Sequence, residues 1–199
     1  MRRVALFGTS ADPPTAGHQA ILKWLSERYD WVAVWASDNP FKFHQTSLEH
    51  RGAMLRLLIE DIDAVRENVS FHPEFSSKRT LETVQKAQYW GADAILTLVI
   101  GADLVSQLPR WYQVEDLLRQ VQLLVVPRPG YAIEEDSLER LRQLGADVQV
   151  ADFTGLDISS TAYRESGDTQ ALIPPIEAYI HQEHLYECQN AAKKSLLIR

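Results

Sequence analysis

Short, nearly unbroken apolar runs that alternate with helical patterns constrain this chain more than any other feature of its sequence. Val4–Phe7, Trp31–Trp35, Ala94–Ile100 and Val121–Val126 are such runs, and Val69–Phe71 and Val148–Ala151 are briefer candidates. They are too short for helices, and as strands they place apolar groups on both sides of the pleat. Helical patterns separate them at Gln19–Arg28, Leu48–Ile62, Thr80–Tyr89, Glu115–Arg119 and Asp136–Leu144, and a helical turn at Ser160–Glu165 and a helix at Pro174–Gln182 follow. Strands apolar on both faces need cover on both faces, and strand–helix alternation supplies it through parallel crossovers. The pattern therefore predicts an α/β fold: a Rossmann-like, doubly wound, mostly parallel sheet with helices on both faces. A chain of 199 residues fits one domain, read as 1–188, with residues 189–199 as a disordered tail.

Charge and cysteine usage narrow the classes of partner. The formal net charge of −7 argues against a general nucleic-acid-binding surface, though not against a local basic site. Cys188 is the single cysteine, so no disulfide forms within the chain. The opening Met1-Arg2-Arg3 leads into only four apolar residues, too few for a signal segment or a membrane span. These features predict a cytoplasmic protein with no membrane partner.

In open sheets of this kind a ligand sits beyond the carboxyl ends of the strands, at a topological switch point. The segment after the first strand reads GTSADPPTAGH, Gly8 to His18. Gly8, Thr9 and Ser10 are small enough for a phosphate to approach the backbone. The following helix offers unpaired N–H groups and a partial positive charge. His18 falls in its first turn, where an imidazole can donate to a phosphoryl oxygen. The loop is neither a Walker P-loop nor Gly-x-Gly-x-x-Gly. From spacing alone it reads equally as a rigid turn carrying a surface histidine.

Near the other end stands DISSTAYRES, Asp157 to Ser166. Ser159, Ser160 and Thr161 are candidate helix caps. Arg164 lies one turn on from Ser160 and Thr161, on the same face. Hydroxyls, free N–H groups and a guanidinium suit phosphate. Taken alone, this stretch is better described as an ordinary capped surface helix with an exposed arginine.

Together the two stretches resemble the paired motifs of the nucleotidyltransferase superfamily that shares its fold with class I aminoacyl-tRNA synthetases. Thr15-Ala16-Gly17-His18 is similar to its His/Thr-x-Gly-His signature, and Ile158 to Arg164 to its Ile-Ser-Ser-Thr-x-x-Arg motif. Within it, the middle of the chain resembles the bacterial nicotinate/nicotinamide mononucleotide adenylyltransferases. The segment IGADLVSQLPRWYQVEDLL, Ile100 to Leu118, is similar to that family's nucleotide-binding and ring-stacking segment. Asn39–Leu55, Lys78–Val84, Val126–Tyr131 and Ile173–Tyr186 match further family blocks in order, with Arg51 at a family arginine.

The resemblance implies AMP transfer from ATP to nicotinate mononucleotide, or to nicotinamide mononucleotide, with Mg²⁺ accompanying ATP and no dedicated protein metal site. It implies His18, Arg164 and Lys42 as catalytic residues. Gly8, Thr9, Ser10, Thr15, His18, Gly101, Asp103, Ser159, Ser160, Thr161 and Arg164 are implied for ATP. Lys42, Thr80, Trp111 and Arg128 are implied for the mononucleotide. A homodimer is a further family expectation. Departures are Thr9 for a second glycine, Ala11 for an aromatic, Thr15 for the first histidine, and Arg79 for an aromatic. Two other readings stand beside this one. The first is an adenylyltransferase for another small phosphate such as phosphopantetheine, which Thr15-Ala16-Gly17-His18 also suits. The second is a nucleotide-binding sensor without turnover, for which Thr9, Ala11 and Thr15 would be the marks.

Other residues read as structural. His181 and His184 are surface side chains without a zincin motif. His44, His50 and His72 are loop or helix-start residues, and Cys188 is inert. Glu134, Glu135 and Asp136 form a solvated helix start. Trp24, Trp31, Trp35 and Trp90 are packing residues.

Overall fold

The computed structural model describes residues 1–39, 46–62, 67–90 and 93–186. Lys42, His44, Cys188, the tail 189–199 and most of the loop 39–47 lie outside the described residues. Six strands form one sheet: β1 (Arg3–Thr9), β2 (Trp31–Ala36), β3 (Val69–Phe71), β4 (Ile95–Gly101), β5 (Gln122–Val126) and β6 (Asp147–Val150). Their order is β3-β2-β1-β4-β5-β6, and every pairing is parallel. The helices are α1 (Ala16–Arg28), α2 (Leu48–Glu60), α3 (Thr80–Trp90), α4 (Val114–Leu118), α5 (Glu135–Gln143), α6 (Ser160–Ser166) and α7 (Pro174–Gln182). All predicted elements are present, with ends shifted by no more than three residues.

Strand periodicity divides the core in two. On one face, Ala5 and Phe7 of β1 and Val32 and Val34 of β2 pack with Leu22 and Leu25 of α1, Met54, Leu55 and Leu58 of α2, and Ile176 and Ile180 of α7. On the other, Leu6, Trp35 and Leu98 meet Val84 of α3, Leu117 of α4, and Leu138 and Leu141 of α5. Neighbouring β1 residues thus serve opposite faces, as a period of two requires. Trp31 departs from its predicted packing role: it is 39% exposed, because it is the first residue of β2 and pairs only with Val4 at the amino-terminal rim of the sheet.

β1 is central, paired with β2 on one side and β4 on the other. The strand order reverses there, so the connections after β1 and β4 leave in opposite directions. That opens a crevice above the carboxyl ends of β1 and β4.

Candidate active site

A cavity of about 650 Å³ fills this crevice. Its wall includes Gly8–Asp12 and His18 at and after the end of β1, Gly101 and Asp103 at the end of β4, Val126–Pro129 at the end of β5, and Ser159–Thr161 with Arg164 at α6. The two ends of the chain therefore meet around one hollow.

His18 is the third residue of α1, and Thr15 is its N-cap. The pair forms a capping box in which a histidine replaces the usual Glu or Gln. The Thr15 N–H donates to His18 Nδ1 at 3.1 Å, and the Thr15 hydroxyl lies 2.9 Å from the same nitrogen. Because Nδ1 accepts, the neutral ring carries its proton on Nε2, a donor on the opposite edge. Thr15 is fully buried, so its hydroxyl fixes the imidazole rather than standing open to a ligand. Gly17 permits close packing: a Cβ there would lie 3.3 Å from the Ile158 carbonyl.

Between β1 and α1 the loop is held by its carbonyls. Arg51 Nη1 of α2 donates to the carbonyls of Ser10 and Ser37, each at 2.8 Å. Arg164 Nη1 donates to the Asp12 carbonyl at 2.5 Å, and the Ser160 hydroxyl to the Pro13 carbonyl at 2.7 Å. Ala11 sits between two of these anchors with a left-handed φ of 46°, unusual for a residue with a side chain. Two arginines pinning the flanking carbonyls keep that strained conformation in place. Arg51 is only 2% exposed. Burial lowers its pKa, and the charges of Asp12 and Asp38 act the other way.

Ser159 is the N-cap of α6, accepting from the Ala162 N–H at 3.0 Å. The single hydroxyl hydrogen of Ser160 is engaged by Pro13, so in this arrangement Ser160 offers a phosphate its backbone N–H. Arg164 Nη2 donates to Thr161 Oγ1 at 3.3 Å, and its remaining N–H groups are further donors on the cavity wall.

Asp103 and Arg128, expected at different substrates, form an ion pair at 3.3 Å. Thr80 opens α3 and Trp111 is half-buried, and both line the cavity. Arg79 lines the same cavity, its guanidinium carbon 4.1 Å from the centre of the Tyr112 ring and Nη1 3.5 Å from Glu82. His18, Lys78, Arg79, Arg110, Arg128 and Arg164 thus face a cavity whose described carboxylates are Asp12 and Asp103. An acidic chain has gathered a local excess of positive charge at one place.

Sequence reasoning missed the buried Asp12, the anchoring role of Arg51, and Lys78, Arg110 and Tyr112 on the wall. Arg51 and Arg79 carried a signal, the first as a matched position and the second as a departure. Asp12, Lys78, Arg110 and Tyr112 lay inside stretches that resemble the family but were not singled out within them.

The sequence model of the Cytidylyltransferase-like family matches residues 6–166, a span that contains both motifs and five of the six strands of the sheet in full. The chain belongs to that family. It is 45% identical to a probable nicotinate-nucleotide adenylyltransferase of Synechocystis sp., over 198 residues covering 92% of this chain and 98% of the relative. It is 27% identical to a nicotinate-nucleotide adenylyltransferase of Bacillus subtilis, covering 94% of this chain and all of the other. The fold is shared with a Plasmodium falciparum nicotinic acid mononucleotide adenylyltransferase complexed with NaAD, at a TM-score of 0.81 and 17% identity over 94% of this chain and 98% of that one.

Proposed function

We propose that this chain is an enzyme that transfers the adenylyl group of ATP to nicotinate mononucleotide, releasing pyrophosphate and forming the dinucleotide of NAD biosynthesis. The observation that carries the reading is the junction of the His18 loop and the Ser160–Arg164 turn around one cavity, in a chain similar over nearly its whole length to nicotinate-nucleotide adenylyltransferases.

A 5′-phosphate oxygen is already nucleophilic at neutral pH. It forms a bond to the α-phosphorus of ATP, and the bond from that phosphorus to the α,β-bridging oxygen breaks in line. No general base is needed, so the protein's task is positioning and charge stabilisation. In this reading His18 Nε2–H donates to an α-phosphate oxygen. The Ser160 and Thr161 backbone and Arg164 receive the β,γ end, which departs as pyrophosphate. Gly8–Ser10, Gly101 and Asp103 seat the nucleotide.

Thr80, Trp111, Arg128 and Lys42 hold the mononucleotide, the ring lying flat on the indole. Arg79, which lines the same cavity as Trp111, favours the carboxylate of nicotinate over the neutral amide. Mg²⁺, if supplied with ATP, would offset the negative charge of the triphosphate. Among the described residues no group of three His, Cys, Asp or Glu side chains is placed to hold a metal, and Asp103 is engaged by Arg128. Phosphate oxygens and water suit the ion as ligands. The same reading carries a cytoplasmic location and a homodimer. Among the described residues no helix is long and apolar enough to cross a membrane.

The test is pyrophosphate release from ATP and Mg²⁺ with nicotinate mononucleotide, nicotinamide mononucleotide or phosphopantetheine as acceptor. Turnover with nicotinate mononucleotide is the expected result. Turnover with phosphopantetheine alone, or ATP binding without turnover on any acceptor, refutes the reading.

A further inference from the structure

Asp12 is a charged residue only 2% exposed, at the bend of the loop that carries the nucleotide-binding backbone. Its carboxylate is held from two distant places. The Tyr186 hydroxyl donates to Oδ1 at 2.6 Å and the Thr46 hydroxyl to the same oxygen at 2.8 Å. The two hydroxyls are themselves 3.4 Å apart. Tyr186 comes from the segment after α7, 174 residues away from Asp12 in sequence. Burial, and then the bond to Asp12, push its phenol pKa well above the ordinary value, so the hydroxyl stays protonated and donates. Its ring stands edge-on to Tyr163 of α6, with centroids 5.9 Å apart.

The same residue, Asp12, presents its backbone carbonyl to Arg164. One residue is thus fixed by its side chain to the end of the chain and by its main chain to the guanidinium assigned to the triphosphate. We propose that Tyr186 is a positioning residue for the ATP site. It sets the orientation of Asp12, and Asp12 sets where Arg164 rests. This rests on the reading of Arg164 as a triphosphate ligand, and Tyr186 itself touches no substrate.

The physical argument is one of stiffness. Asp12 lies next to the strained Ala11, and a loop in that conformation relaxes when an anchor is lost. Without the phenol hydroxyl the carboxylate loses the shorter of its two hydroxyl bonds, 2.6 Å against 2.8 Å from Thr46, and is held less firmly in its present orientation. The Asp12 peptide then turns, and Arg164 follows its carbonyl.

The test uses Tyr186→Phe, which removes one oxygen and leaves the ring on Tyr163. Affinity for an α,β-methylene analogue of ATP is measured by calorimetry, with KM for each substrate alongside. Analogue binding is expected to weaken about tenfold, equivalent to about 1.4 kcal/mol, while KM for the mononucleotide holds. In an Arg164→Ala background the same change should add little, because the path from Tyr186 to the triphosphate is already cut. A merely structural role would lower the amount of active protein without moving analogue affinity.

Unchanged analogue affinity in Tyr186→Phe, or an equal loss with and without Arg164, overturns the proposal. Should Tyr186→Phe fail to fold, Thr46→Val removes the second donor and is expected to give the same pattern. Absence of turnover in the unaltered chain sinks the functional reading instead, since analogue binding is read separately.

Discussion

Replacing Gly8 by alanine adds one methyl group where the floor of the site is tightly packed. Gly8 stands in register with Trp35 on the neighbouring strand. A Cβ built there would lie 2.5 Å from both Cε2 and Cζ2 of the indole and 2.8 Å from Nε1. Carbon atoms in comfortable contact are about 3.5–4.0 Å apart, so roughly 1 Å of movement is required. Trp35 cannot easily give way: it is 4% exposed and stands edge-on to Phe75 with centroids 6.0 Å apart. Overpacking of this kind costs about 1–3 kcal/mol. For a domain of this size that lowers Tm by about 2–12 °C. The end of β1 also shifts, carrying Thr9 and Ser10, and KM for ATP should rise. The decisive measurement is a thermal double-mutant cycle with Trp35→Leu, which deletes all three crowding atoms. In that background Gly8→Ala should cost far less. An equal fall in Tm in both backgrounds refutes the argument that the indole is what excludes a side chain.

Three further outcomes follow from the site and its surroundings. His18→Ala should lower kcat at least 100-fold, the effect of losing one preorganised donor to developing charge, and the lost cap on Thr15 should cost about 0.5–2 kcal/mol in a thermal melt. Arg79→Gln should lower kcat/KM for nicotinate mononucleotide about tenfold and leave that for nicotinamide mononucleotide unchanged, since only the acid offers a charge to the guanidinium; parallel kinetics on both acceptors checks this. Burial pushes the Glu74 carboxyl up, but the hydrogen bond with His72, its own backbone bond and the charges of His72 and Lys86 outweigh it and leave the pKa lowered. A lowered folded-state pKa means stability present above the unfolded value and lost as pH falls through the folded one. Glu74→Gln should therefore make Tm less sensitive to acid between about pH 5 and about pH 3, measured by melts across that range.

The fold was legible because four runs, Val4–Phe7 among them, are apolar at nearly every position, and only a doubly covered parallel sheet hides such strands. Element ends were less legible. α1 starts at Ala16 rather than Gln19 because Thr15 and His18 cap each other across its first turn. The candidate site was legible only through the pairing of two family-like motifs, at His18 and at Ser159–Arg164, which spacing alone left open and which the fold brings to one cavity. It was hidden where a polar side chain serves the backbone. Nothing local in the sequence says that the Ser160 hydroxyl turns to the Pro13 carbonyl, or that Asp12 is buried under a tyrosine near the other end of the chain. Charged residues are rarely buried, and the partner that makes burial tolerable lies far off in sequence.

Ser160 braces Pro13 across 147 residues, which gives the site a position in time as well as in space: at roughly 5–20 residues per second, a ribosome delivers the brace about 7–30 s after the loop it secures. Through that interval the loop after β1 lacks one of its anchors. On the proposed role of Arg164, competence for the nucleotide arrives late in synthesis, once the helix carrying that residue has docked.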